Sequence, residues 1–239
     1  MFTTFIVQPL FNLLVVFYGA LGHDLGLAII ALTVLVKLVL YPLSQAALRS
    51  QVAMQTLQPK LKDLQAKHKG DREALARATM ALYRESKVNP LSSCLPVLIQ
   101  LPFLLGIYWA LRAVVAGTSF ELLYAFVPHP GTLKTVAFGF LPLASGSIAL
   151  ALAAGLAQWW QARMLIQSRP PAAVAAKGGK DEDMMAMVNK QMMFMMPIMT
   201  VVIGAGLPAG LTLYWFVTTL LQVAQQKLMM DRKPIADSR

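Results

Sequence analysis

The stretch LGLAIIALTVLVKLVLYPLSQAAL (Leu25–Leu48) decides the fold class, because it is long enough to cross a bilayer as a helix and carries one charge, Lys37. A lysine near the centre of a membrane helix costs about 2.5–3.5 kcal/mol, so intramembrane cations ordinarily face a polar cavity and act there. Two readings compete. Lys37 lies six residues before Leu43. That is about 9 Å along a helix at about 1.5 Å per residue, so its long stem can lift the ammonium towards the interface by snorkelling alone. In the other reading the cation serves a functional site inside the membrane.

Working outward, the whole chain has the composition of a membrane protein. Its 239 residues are 57% hydrophobic and 13% charged, against about 25% charged in soluble domains. Further charge-free stretches run over Leu91–Leu111, Thr135–Ala162 and Gln191–Gln226. The last holds 36 residues, too long for one span and just enough for two, and GAGLPAGL (Gly204–Leu211) offers a turn between them. The expectation is an all-α integral membrane protein with five spans at 25–48, 91–113, 136–162, 191–206 and 207–226. The intervening segments are 49–90, an extracytoplasmic loop at 114–135, and 163–190, with a tail at 227–239.

Charge placement sets the orientation. Eighteen of the 21 basic residues fall between the first and second spans, between the third and fourth, or after the fifth. The positive-inside rule then puts the amino terminus outside and the carboxyl terminus in the cytoplasm, as in a multi-pass protein of the cell membrane. The net charge of +10 points to anionic phospholipid head groups and to whatever docks on the cytoplasmic face, rather than to DNA. Residues 1–24 lack Lys, Arg and a small-residue cleavage site, and read as an interfacial helix on the outer surface carrying Phe5, Phe11, Phe17 and Tyr18. Cys94 is the sole cysteine, which excludes an internal disulfide and a cysteine metal cluster and reads as a small buried apolar residue.

The polar segment 49–90 has helical pattern. Leu57, Leu61 and Leu64 recur at i, i+4 and i+7, and Leu75, Ala78 and Leu82 repeat the pattern after the Lys69–Asp71 break. Pro59 suits the first turn of one helix, and Asp71 the N-cap of the next. The basic residues Lys60, Lys62, Lys67, Lys69, Arg72 and Arg77 are then either a solvated surface or a landing site for a nascent chain, ribosome or lipid surface. Arg169–Asp183, rich in Pro, Gly and Ala, reads as a flexible linker.

Polar groups recur within the spans. Thr33 shares a helix face with Lys37; Gln100 stands between Pro96 and Pro102; Gln158 and Gln161 flank Trp159 and Trp160; Thr212, Tyr214, Trp215, Thr218, Thr219 and Gln222 dot the last span. Each hydroxyl taken alone reads as one bonded to its own helix backbone. As a set with Lys37, these groups fit a hydrated cavity. Met184–Met199 concentrates methionines, which serve either as core filling or as a surface for partners of varied shape.

Three blocks carry a resemblance. NPLSSCLPVLIQLPFLLGIYWALR (Asn89–Arg112), AMQTLQPKLKDLQ (Ala53–Gln65) and the pair MMFMMPIM with LPAGLTLYW (Met192–Met199, Leu207–Trp215) resemble the YidC/Oxa/Alb membrane protein insertases. The resemblance implies a five-helix core, a cytoplasmic helical hairpin and a hydrophilic groove open to the cytoplasm and to lipid, in a short form without the large periplasmic domain. It further implies a protein that inserts and helps fold small membrane proteins, alone or beside the Sec channel, with no enzymatic step, cofactor or metal. The family's groove cation, ordinarily arginine, falls on Lys37. Lysine keeps the charge and loses the planar fork, leaving simple attraction for acidic groups. The groove set carried over is Lys37, Thr33, Gln100, Gln158, Tyr214 and Trp215.

Two other classes stand beside this one. A small polytopic transporter or channel would usually show internal repeats or several ionisable residues at mid-membrane, and this chain shows one. An intramembrane hydrolase has nothing to work with, since His23, His68 and His129 all lie outside the spans and no acidic residue lies within them.

Overall fold

A computed structural model describes residues 1–68, 70–89, 95–116, 119–167 and 180–231. The chain opens with a π-helical turn, Thr3–Val7, that runs into α1 (Gln8–Ala20). There follow α2 (Leu25–Val39), α3 (Tyr41–Thr56), α4 (Gln58–Lys67), α5 (Arg72–Glu85) and α6 (Leu95–Ala116). A two-stranded antiparallel ribbon, β1 (Val136–Ala137) with β2 (Leu141–Pro142), leads to α7 (Ile148–Gln167), α8 (Lys180–Gly206) and α9 (Ala209–Asp231).

The opening stretch is two helices rather than one. α2 and α3 meet at Leu40 with a bend of 68°. Pro42 explains the break: it has no N–H to give Leu38, and its ring crowds that carbonyl. Lys37 therefore sits in the last turn of α2 instead of near the middle of a long span. Asp24 starts α2, its Oδ1 accepting from the N–H groups of Gly26 at 2.8 Å and Leu27 at 3.0 Å. Its Oδ2 accepts from Phe138 N–H at 2.6 Å, which clamps the ribbon onto the helix start. Gly26 permits this approach, since a Cβ there would stand 2.5 Å from that of Ala137.

Within residues 1–24, Thr3–Ala20 is helical, and one face of α1 packs inward. Thr3–Ala20 is long and apolar enough to cross a membrane, as is Leu98–Ala116; α2 and α3 qualify as one bent pair, and the apolar part of α8, Met193–Gly206, is shorter. Phe11, Leu14 and Tyr18 of α1 are buried in one core with Ile29 and Leu32 of α2, Ile107 of α6 and Tyr214 of α9. Asn12, 4% exposed, ties α1 to the segment after α6. Its amide donates to Gln8 O and Leu122 O, both at 2.8 Å, and its oxygen accepts from Tyr124 N–H at 2.7 Å. The Tyr18 hydroxyl accepts from Lys134 N–H at 3.1 Å and donates to Thr132 O at 3.4 Å.

The helix expected over 136–162 begins only at Ile148. The residues before it turn back on themselves through positive φ at Phe138 (55°) and Gly139 (78°), and hydropathy alone does not register such a turn. α7 then packs on α8 and α9 through small residues. Gly155 accepts Val201 and the Pro197 carbonyl, and a Cβ on Gly146 would lie 2.3 Å from the Ala205 carbonyl oxygen. Close backbone approach of this kind is how membrane helices gain packing without a hydrophobic drive. The turn between α8 and α9 falls at Leu207 and Pro208, inside the expected GAGLPAGL.

α4 and α5 pack as a helical pair. Pro59 occupies the first turn of α4, Asp71 caps α5 by accepting from Ala74 N–H at 2.9 Å, and Leu57 and Leu61 are buried. Both starts follow from local residues, as the spacing indicates.

Candidate functional site

Four helices deliver amides to one place. α2 brings Lys37 in its last turn, α3 brings Ser44 and Gln51, α6 brings Ile99 and Gln100 near its start, α7 brings Gln161, and α9 brings Gln222, Gln225 and Gln226. Together with Leu40 and Leu48 these residues line an open cleft of about 50 Å³, room for a few waters at about 10–15 Å³ each. Its described lining holds one cation, six glutamines and no carboxylate. A carboxylate arriving 4 Å from Lys37 would gain at most about 4 kcal/mol at an effective dielectric near 20.

The amides are oriented in layers. Gln100 donates its Nε2–H to the Tyr214 hydroxyl, and Gln161 donates to Gln222 Oε1 at 3.2 Å. Gln222, Gln225 and Gln226 stand at i, i+3 and i+4, so they share one face of α9. The Nε2 atoms of Gln225 and Gln226 are buried with no hydrogen-bond partner among the described residues. Each such donor costs about 1–3 kcal/mol.

Of the groove set carried over from the resemblance, Lys37 and Gln100 line the cleft. Tyr214 lies one layer behind them, 1% exposed, and holds Gln100. Thr33 is 0% exposed and donates to Ile29 O at 2.6 Å; its hydroxyl is spent on its own helix. Gln158 and Trp215 are half-buried and do not line the cleft; Gln161, three residues on from Gln158, does. Ser44, Gln51, Gln225 and Gln226 are additional members. The spacing in LLQVAQQ (Leu220–Gln226) signals the α9 face, but α3 reaches the cleft only because of the bend at Leu40.

Of the hairpin cations, Lys60, Lys67 and Arg77 are exposed. Arg77 pairs with Glu73 one turn earlier on the open surface, an arrangement worth about 0.3–0.5 kcal/mol. Lys69 lies outside the described residues, as do the side chains of Lys62 and Arg72, Cys94 and most of the linker after α7.

With this geometry in place, the family can be assigned. A family model described as 60Kd inner membrane protein matches residues 16–236. The chain belongs to this family. Membrane protein insertase YidC of Anaeromyxobacter sp. (strain Fw109-5) is 40% identical over 209 residues, covering 87% of this chain and 33% of the relative. The protein of the same name from Syntrophobacter fumaroxidans (strain DSM 10017 / MPOB) is 35% identical over 226 residues, 93% of this chain and 37% of the relative. A crystal structure titled as the active YidC insertase with the first transmembrane domain resolved superposes with a TM-score of 0.58 at 26% identity, over 90% of this chain and 45% of the other. The chain thus spans about a third of the length of these relatives. Among members of the 60Kd inner membrane protein family it is a predominantly helical protein of the YidC-like fold.

Proposed function

We propose that the chain is a membrane protein insertase and folding chaperone, working through the cleft at Lys37 as a hydrated groove open to the cytoplasm. The observation that carries this reading is where the cleft lies on each helix. With the amino terminus outside, α2, α7 and α9 run inward and α6 runs outward. Lys37, Gln161 and Gln226 near the ends of the first three, and Gln100 near the start of the fourth, then all fall at the cytoplasmic end. The five spans are the α2–α3 pair, α6, α7, α8 and α9, and the α4–α5 hairpin lies in the cytoplasm among the basic residues that the positive-inside rule places there.

The work is physical and forms no covalent bond. A polar tail crossing hydrocarbon loses its water, and each unsatisfied peptide group costs several kcal/mol. A wet cleft reaching partway into the bilayer lowers that cost. Lys37 attracts acidic groups in the tail. The apolar part of α8, Met193–Gly206, measures about 21 Å at about 1.5 Å per residue against a core of about 30 Å, which favours local thinning and a shorter crossing. The inserted helix leaves sideways into lipid, driven by its own hydrophobicity.

The partners on this reading are newly made membrane proteins and anionic phospholipids, with a ribosome or Sec translocon meeting the exposed Lys60, Lys67 and Arg77. Reconstitution of the purified protein alone in liposomes tests it: a small membrane protein with a polar amino-terminal tail is expected to become protected from external protease. Solute flux without insertion would overturn the reading in favour of a transporter or channel.

A further inference from the structure

The glutamines of the cleft are not explained by attraction to acidic tails, for which a cation suffices. A glutamine side chain is a peptide group on a short stem, with one carbonyl acceptor and an NH₂ donor. Three of the six are engaged: Gln100 with Tyr214, and Gln161 with Gln222. Gln225 and Gln226 are different. Their Nε2 donors are buried without a partner among the described residues, Gln226 is 1% exposed, and both line the cleft beside Lys37. These two donors therefore stand in the site with no oxygen to accept from them among the described residues.

Taking the insertase reading as its basis, we propose that Gln225 and Gln226 bind the backbone carbonyls of an extended incoming segment, whatever its side chains. An extended chain presents a carbonyl about every 3.4 Å, whereas a helix has already spent nearly all of its carbonyls on its own amides. The cleft thus distinguishes segments by conformation. It accepts a polar tail while that tail is unfolded and releases a segment once it has become a helix, because the helix has few acceptors left to offer. Lys37 adds a preference for acidic tails on top of a recognition that every polypeptide satisfies.

The test uses the full chain in liposomes of phosphatidylethanolamine and phosphatidylglycerol. The semisynthetic substrates have tails of Ser and Asn or of Ser and Asp, each made with ordinary peptide links or with three tail amides replaced by esters. An ester lacks the N–H, and its carbonyl is a weaker acceptor. Wild-type protein is expected to insert the ester form of the neutral tail several-fold less well. Gln225→Met with Gln226→Met is expected to lower insertion of both amide tails by about tenfold, the equivalent of one or two hydrogen bonds, and to abolish the difference between ester and amide. Gln226→Asn, which keeps an amide, should fall between. Equal insertion of ester and amide by the wild type would overturn the proposal without recourse to any variant. So would a double variant impaired on the acidic tail alone, or one that keeps the full ester penalty. Failure of the wild type to insert any of the four substrates would instead remove the insertase reading on which the proposal stands.

Discussion

The two ends of the bundle treat buried polar groups in opposite ways. Around Asp24, Asn12 and Tyr18, the long-range side-chain hydrogen bonds all run to the backbone of a distant segment: Phe138, Leu122, Tyr124, Thr132 and Lys134. Around Lys37 the long-range bonds run between side chains, Gln100 to Tyr214 and Gln161 to Gln222, and two amide donors have no partner among the described residues. Backbone partners are fixed in place and make a closed end. Side-chain partners can exchange, and an end built from them can take a guest in place of a neighbour.

Substitutions at the two ends should therefore fail differently. The largest effect is expected for Asn12→Leu, which strips three bonds and leaves the half-buried Leu122 carbonyl and Tyr124 N–H without the partner they had; about 2–4 kcal/mol of stability should be lost, read as earlier thermal unfolding in detergent. Gly146→Ala should cost about 1–3 kcal/mol by the same measurement, because the new methyl meets the rigid carbonyl of Ala205. Neither should alter preference among tails in those molecules that remain folded.

At the other end the order reverses, with insertion falling while stability holds. Lys37→Glu and Lys37→Ala should lower insertion of acidic tails by about tenfold, about 1.4 kcal/mol, with Lys37→Arg retaining it. Equal insertion by all three variants would remove the role given to the charge. Arg77→Ala marks the bottom of the scale: loss of its exposed pair with Glu73 should shift stability by less than about 0.5 kcal/mol. A stability loss at Asn12 no larger than that at Arg77 would collapse the contrast between the two ends.

Legibility from sequence followed the range of the interaction. The caps at Pro59 and Asp71 and the turn after Gly206 depend on neighbours in the chain, and could be read there. The break at Leu40 was hidden because Pro42 sits in an apolar run, where hydropathy continues unchanged while the hydrogen-bond ladder does not. The ribbon at 136–142 was hidden for the same reason. Of the candidate site, Lys37 and Gln100 stood out as polar groups among apolar ones. Thr33 stood out equally, but nothing in the spacing tells a hydroxyl aimed at a cavity from one bonded to Ile29. Gln51 belongs to the cleft through a bend elsewhere, so no local pattern announces it.

The position of Lys37 in the last turn of α2 has an electrical consequence. The carboxyl end of a helix carries about half an elementary negative charge on its unsatisfied carbonyls, and Lys37 stands beside it. What a passing carboxylate senses at short range is then less than a whole positive charge. A full, isolated charge in a dry setting would trap an acidic residue. A partly neutralised one in a wet cleft delays it briefly, which suits the proposed insertase, where each chain must leave before the next enters.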